Sequence, residues 1–305
     1  MSDPLSDIVR LLHPRTVIAN VISGKGSWAV RYSEYGQPGF CIVLKGSCLL
    51  AVDGHEPITI KAGDFVLLPT TPAFTMRSFA PAPPVFIDPK VVPGGGAELR
   101  HGEQEGLADM YSLGGAFMFD TADPGLLVSL LPEVVHVQGS GRLVRLVEMV
   151  GEEYAEQKPG KEFMLCRLIE MLLVEAIRST TAESVPAGLL RGLGDERLAA
   201  ALKQMHANVA HPWTVSQLAT AAALSRSTFF ERFTRTVGVA PMEYLLGWRM
   251  EIAKGLLRHD ELSVSEVAER VGYGSSSTFS VAFSRHVGQP PSQYARSTVL
   301  LTREG

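Results

Sequence analysis

Cysteine is scarce in this 305-residue chain, which holds only Cys41, Cys48 and Cys166. So sparse and odd a set excludes a disulfide framework and fits a reducing compartment. Long apolar runs are missing too: no uninterrupted stretch approaches the roughly 20 residues that a membrane-spanning helix needs. The first residues, Met1-Ser-Asp-Pro-Leu-Ser-Asp7, lack the basic and apolar regions of a secretory signal, so the expected location is the cytoplasm. Nor does charge of either sign dominate, the formal net charge being −4. It is unevenly spread: residues 195–305 carry 12 Lys/Arg against 10 Asp/Glu, whereas residues 1–194 carry 16 against 22. With 46% hydrophobic residues the chain can bury two cores, and no disorder signature dominates.

What is present is a duplication. Val215-Ser-Gln-Leu-Ala219, Phe229, Phe233, Gly238, Pro241 and Tyr244 recur as Val264-Ser-Glu-Val-Ala268, Phe279, Phe283, Gly288, Pro291 and Tyr294. The offset is 49 residues up to Ala268 and 50 from Phe279 onward, which places one extra residue near Tyr273-Gly274-Ser275, in a turn. Each copy opens with a capping box, Thr214 with Gln217 and Ser263 with Glu266, which defines a helix start. Ala219 and Ala268 leave room for a second helix to cross closely, giving a helix-turn-helix layout. Ser225, and Ser275 or Ser276, can cap that second helix, whose buried face is set by phenylalanines at i, i+4 spacing.

The outward face of each second helix then holds the candidate base readers: Ser227, Phe230, Glu231 and Thr234 in the first copy, Ser276, Ser277, Ser280, Val281 and Ser284 in the second. Serine and threonine bond to several base edges in a major groove, and an apolar side chain meets a thymine methyl group. Arg226, Arg232, Arg235 and Arg285 suit phosphate contacts, which position without reading sequence. A net charge of only +2 for residues 195–305 points to modest affinity that a dimer or a polymerase contact would raise. Between the copies, apolar residues at 245, 246, 248, 252, 253, 256 and 257 predict one rigid helix that would present two reading helices to successive groove segments.

Residues 195–296 resemble the DNA-binding domain of the AraC/XylS family of bacterial transcription regulators. The resemblance rests on Trp213-Thr-Val-Ser-Gln-Leu-Ala219, Ser225-Arg-Ser-x-Phe229, Gly238-x-x-Pro241-x-x-Tyr244, Trp248-Arg-Met250-x-x-Ala253, Val267-Ala268-x-x-Val271-Gly-Tyr273 and Gly288-x-x-Pro291-x-x-Tyr294. The chain departs from the family pattern at Glu231 and Val281, where arginine is frequent, at Ser284, where a basic residue is, at Ala223, where glycine is, and at Gly274, where an acid is.

The N-terminal half has a different texture. Pro4 opens a short amphipathic segment with Leu5, Ile8, Val9 and Leu12 on one face, expected to dock on the chain immediately after it. Short β-type runs come next, at 16–23, 28–32, 40–44, 48–52, 58–60, 65–68, 74–78 and 85–87, and regular short strands with turn signals mean a barrel or sandwich. Gly39-Phe-Cys-Ile-Val-Leu-Lys-Gly46, Val52-Asp-Gly54, Lys61-Ala-Gly-Asp64 and Phe74 resemble the cupin-type barrel that precedes the DNA-binding domain in many such regulators. Cys41 and Phe74 stand where related barrels often carry histidine, and His13, His55, His101 and His136 have no ligand spacing, so no metal or other cofactor is expected. An enclosed pocket lined by Cys41, Val43, Phe74 and Met76, with Trp28 and Arg31 as polar or stacking contacts, is the candidate effector site, against a filled core.

Residues 141–178 read as two helices joined at Gln157-Lys-Pro-Gly160, a hairpin whose second helix is apolar around much of its circumference. The resemblance implies dimerisation there, and the residues alone leave internal packing open. The expected fold class is therefore α+β: a cupin-like sensing and dimerisation domain over 1–180, with its barrel at about 14–92 and its hairpin at about 141–178, a linker at 181–194, and an all-α double helix-turn-helix domain over 195–305. The expected function is a non-enzymatic, sequence-specific transcription regulator, with activation the family's commoner mode. Its expected partners are promoter double-stranded DNA, RNA polymerase, a small-molecule effector and a second copy of itself. Two alternatives stay open: a redox sensor using Cys41 and Cys48, and a cupin metalloenzyme with a helical appendage.

Overall fold

The computed structural model describes residues 4–12, 14–91, 97–119, 131–139, 141–156, 158–179, 188–259 and 262–301. It divides into two compact units, one of Pro14–Phe119 with Leu131–Thr180, the other of Met1–His13, Asp120–Leu130 and Thr181–Gly305. His13, Gln157 and half of the anticipated linker, residues 181–187, lie outside the described residues.

In the first unit, β1 (Pro14–Lys25), β2 (Ala29–Tyr32), β3 (Gly39–Lys45), β4 (Ser47–Val52), β5 (Ile58–Lys61), β6 (Phe65–Leu68), β7 (Phe74–Arg77) and β8 (Val85–Ile87) occupy the eight runs read from the sequence. β9 (Ala97–Gly102), β10 (Met110–Phe119) and β11 (Val135–Val137) extend the strands beyond residue 92. Six strands form one sheet in the order β11-β6-β3-β10-β1-β9, and five form another in the order β5-β4-β7-β2-β8. The expected closed barrel is thus two sheets that keep their edges. β8 and β11 are three residues long and offer too few ladder bonds to zip the sheets into a cylinder.

Period-two alternation puts Val30 and Tyr32 of β2, Val43 of β3, Cys48, Leu50 and Val52 of β4 and Met76 of β7 into one buried cluster shared by the two sheets. The alternate residues of the larger sheet, Ile42, Phe65 and Phe117, are fully buried on its other face. α2 (Gly141–Ala155) and α3 (Lys161–Ser179) pack against β1, β3, β6 and β11 and against each other as the predicted hairpin. Leu165, Leu168, Ile169, Leu172, Leu173 and Ala176 bury one broad side of α3, whereas Phe163, Met164 and Met171 stay exposed.

The second unit is helical: α1 (Pro4–Leu12), α4 (Leu189–Gly194), α5 (Glu196–Ala207), α6 (Val215–Ala221), α7 (Arg226–Val237), α8 (Pro241–His259), α9 (Val264–Arg270), α10 (Ser276–Val287) and α11 (Pro291–Leu301). α1 packs on α5 and α8 of this unit instead of on the strands next to it in sequence. Its Asp7 lies 3.7 Å from Nδ1 of His206, whose ring stacks on Trp248 at 4.1 Å and whose Nε2 meets the Tyr244 hydroxyl at 2.7 Å. α4 falls inside the stretch anticipated as linker and packs on α5 and α7, because Leu189 and Gly192 bury there.

Candidate nucleic-acid interface and ligand cavity

Each sequence repeat folds as one helix-turn-helix unit. In both capping boxes the hydroxyl accepts from the backbone N–H three residues on, 3.2 Å at Thr214 and 3.3 Å at Ser263. The Gln217 and Glu266 side chains accept in return from the Thr214 and Ser263 N–H groups, at 2.9 and 2.8 Å. Ser225 and Ser275 cap α7 and α10, each accepting at 3.2 Å from a threonine N–H. The turn from α6 to α7 runs over four residues and that from α9 to α10 over five, so the extra residue lies where the two offsets placed it.

Behind the outward helix of each unit an aromatic ladder repeats almost to the ångström. Phe229–Phe233 and Phe279–Phe283 centroids are each 5.5 Å apart, and Phe233–Tyr244 and Phe283–Tyr294 meet edge-on at 5.8 and 5.5 Å. These contacts fix the rotation of α7 and α10 about their axes, and thereby which residues face out. α8 joins the units through Leu245, Trp248, Met250, Ala253 and Leu257, all buried. At 1.5 Å per residue its 19 residues make a strut of about 28 Å.

Of the candidate readers, Ser227, Phe230 and Glu231 on α7 and Ser276, Ser277 and Val281 on α10 are exposed; Val281 is 63% accessible and Phe230 44%. Arg226, Arg235 and Arg285 are exposed beside them. Four assignments need correction. Arg232 is not a free cation, because its Nε donates to Asp195 at 2.6 Å and ties α7 to the start of α5. Thr234 is half-buried, with a hydroxyl oxygen that has no accessible surface. Ser280 donates at 2.7 Å to the Ser276 carbonyl of its own helix. Ser284 is half-buried one turn further on.

Sequence reasoning missed the supports of this surface. Asp195 caps α5 by accepting from Arg197 and Leu198 N–H groups while it holds Arg232. Arg197 donates to the Ala223 carbonyl at 2.9 Å, and Arg249 to the Val209 and His211 carbonyls at 2.9 and 2.8 Å. Asp195 was legible as a cap; its partner 37 residues away was not.

In the strand unit a cavity of about 320 Å³ opens between residues of both sheets. Cys41, Phe74 and Met76 line it, joined by Tyr32, Leu50 and Val66. Val43 sits fully buried in the adjoining core. Trp28 is buried with its indole stacked on His101 at 5.9 Å. Arg31 lies on the opposite face of β2 from Tyr32 and donates to Asp53 at 2.7 Å. Strict alternation along Trp28-Ala-Val-Arg-Tyr32 excludes Arg31 from any pocket that Tyr32 lines.

Comparison with known proteins bears on both units. A cupin family model matches residues 3–182, and a helix-turn-helix domain model matches residues 218–297. A putative AraC-like transcription regulator of Streptomyces lividans is 36% identical, over 96% of this chain and 98% of its own. The chain belongs to the AraC-like transcription regulators. It is a cupin-type member, with a helix-turn-helix DNA-binding domain at its C-terminal end. The RCS-specific transcriptional activator RclR of Escherichia coli is 27% identical over 96% of each chain. Among solved structures, the DNA-binding domain of AdpA in complex with a target DNA is 31% identical, covering 35% of this chain and 96% of that one, at a TM-score of 0.34.

In this AraC-like regulator the thiols are poor nucleophiles. Burial pushes Cys41 up to about 11 and raises Cys48 still further, so both stay protonated near neutral pH, contrary to what a thiolate-based redox sensor needs. Two of the described histidines of the strand unit face carboxyl groups. His136 Nε2 meets Asp64 at 2.9 Å, and that buried carboxylate also accepts from the Lys61 and Gly139 N–H groups. His55 meets Glu133 at 2.9 Å. Among the described residues no three His, Cys, Asp or Glu side chains converge, and no helix is long and apolar enough to cross a membrane.

Proposed function

We propose that this regulator binds promoter DNA with α7 and α10 in two major-groove segments, that a small molecule in the strand-unit cavity modulates that binding, and that it acts as a homodimeric, cytoplasmic activator. The observation that carries the DNA part is the duplicated aromatic ladder, which turns two equivalent helix faces outward on one strut. Ser227, Phe230 and Glu231 read bases in one segment, Ser276, Ser277 and Val281 in the other, and Arg226, Arg235 and Arg285 grip phosphates. Glu231 selects cytosine, whose amino group is the base-edge donor that suits a carboxylate.

Exposed Phe163, Met164 and Met171 on α3, with Met149 on α2, support a second copy against the hairpin, since apolar side chains concentrated on one helical face are uncommon on a monomer. Polymerase contact completes an activator that its own charge leaves with modest affinity. No catalysis is part of this reading. Selection of bound sites from random duplexes tests it: the enriched motif has two short elements about 10 base pairs apart, centre to centre. Absence of any preference over scrambled competitor, across a panel of added metabolites, overturns it.

A further inference from the structure

We propose that the strand-unit cavity takes a compact, uncharged aromatic ligand, recognised by shape and dispersion with no ion pair. This rests on the reading of that cavity as the effector site and narrows its chemistry. Size comes first. About 320 Å³ is roughly twice the 150 Å³ apolar cavity that accepts benzene, so a two-ring molecule fits.

Several polar groups of the lining are already engaged or turned away from the space. The Thr71 hydroxyl is tied to the Gln37 and Leu68 carbonyls, at 2.6 and 3.2 Å. Tyr32 presents its ring, because its hydroxyl oxygen has no accessible surface. Cys41 is a protonated thiol bonded to Ser112. Among the described residues Lys90 is the one charged side chain of the lining, and it is exposed. Among the described lining residues no acidic side chain awaits an ammonium, and a carboxylate held away from the exposed Lys90 would lose its water without gaining an ion pair. Aromatic rings suit what remains: Tyr32 and Phe74 stack at 4.8 Å, and Met76 and Cys41 offer polarizable sulfur.

Gly114 of β10 lines the space. A Cβ built on Gly114 comes no closer than 3.5 Å to any neighbour, the nearest being Ile22 Cδ1. The Cβ of Gly114→Val therefore meets only ordinary contacts, and its two methyls take up ligand space.

Equilibrium dialysis of the full chain with naphthalene and with 2-naphthoate tests the proposal. Naphthalene is expected to bind at least about tenfold more tightly than the carboxylate, and Gly114→Val to weaken naphthalene at least about tenfold. Equal or tighter binding of 2-naphthoate overturns the uncharged-ligand inference and leaves the effector site standing. Unchanged naphthalene affinity in a folded Gly114→Val protein overturns the placement of the ligand. No binding of either probe up to its solubility overturns both the inference and the effector reading. Should Gly114→Val fail to fold, the wild-type affinity ratio alone decides between the two ligand chemistries.

Discussion

The turns of the two helix-turn-helix units place different residues at one left-handed backbone position, and that difference sets a quantitative test. Ala223 has φ +51° and its counterpart Gly272 has φ +83°, both in the left-handed region that disfavours a Cβ. An L-residue there costs about 1–2 kcal/mol, and replacing it with glycine gives back roughly 0.5–1 kcal/mol through the looser unfolded chain. Ala223→Gly is therefore expected to stabilise by up to about 1 kcal/mol, a rise of about 4 °C for a unit of this size. Gly272→Ala is the opposite case. The new Cβ would stand 2.5 Å from the Ala210 carbonyl oxygen, which is backbone and cannot rotate away. Strain plus displacement put the loss at about 3 kcal/mol or more, roughly 10 °C or beyond. Calorimetry of the full chain reads both, in the transition of the helical unit. A lower transition for Ala223→Gly, or one within about a degree of wild type for Gly272→Ala, would refute the reasoning.

Three other consequences are measurable. Arg226→Ala and Arg235→Ala should each reduce the slope of log affinity against log salt by about 0.9, whereas Arg232→Ala should leave that slope unchanged and lower the melting temperature, since Arg232 serves Asp195. Burial pushes the Asp195 carboxyl up, but its hydrogen bonds from Arg232 and from the Leu198 and Arg197 N–H groups outweigh it and leave its pKa below the usual 3.8. A depressed folded-state value means stability that is complete above about pH 4 and is lost as pH falls through the folded value; Asp195→Asn should lower the melting temperature at about pH 7 and flatten that acid limb. Cys41 alkylation by iodoacetamide should be slow near neutral pH and accelerate up to about pH 11, in step with the fraction of thiolate; a fast reaction near neutrality would restore the redox-sensor alternative.

The helical unit was legible in the sequence because its information is local. Caps, i, i+4 phenylalanines and the one-residue offset each act within a few residues, so Thr214, Ser263, Phe229 and Phe279 stand where their spacing put them. The strands at 14–87 were legible for the same reason. β10 was not, because Gly114-Gly115 reads as a break, and it became a strand only through antiparallel pairing with β1 and β3.

The sequence alone determined the two helix-turn-helix units, the strut between them and the outward stripe on the second helix of each, since periodicity and caps carry those facts wherever the chain goes. Tertiary structure decided which members of that stripe stay free: a guanidinium on α7 goes to Asp195, and a hydroxyl on α10 goes back to its own helix. It also decided that α1 packs on the helical unit, and that the strand unit holds an apolar cavity with its charges outside. Each of these depends on groups tens of residues apart meeting in space, or on which of two faces has room, and no spacing rule along a chain encodes that.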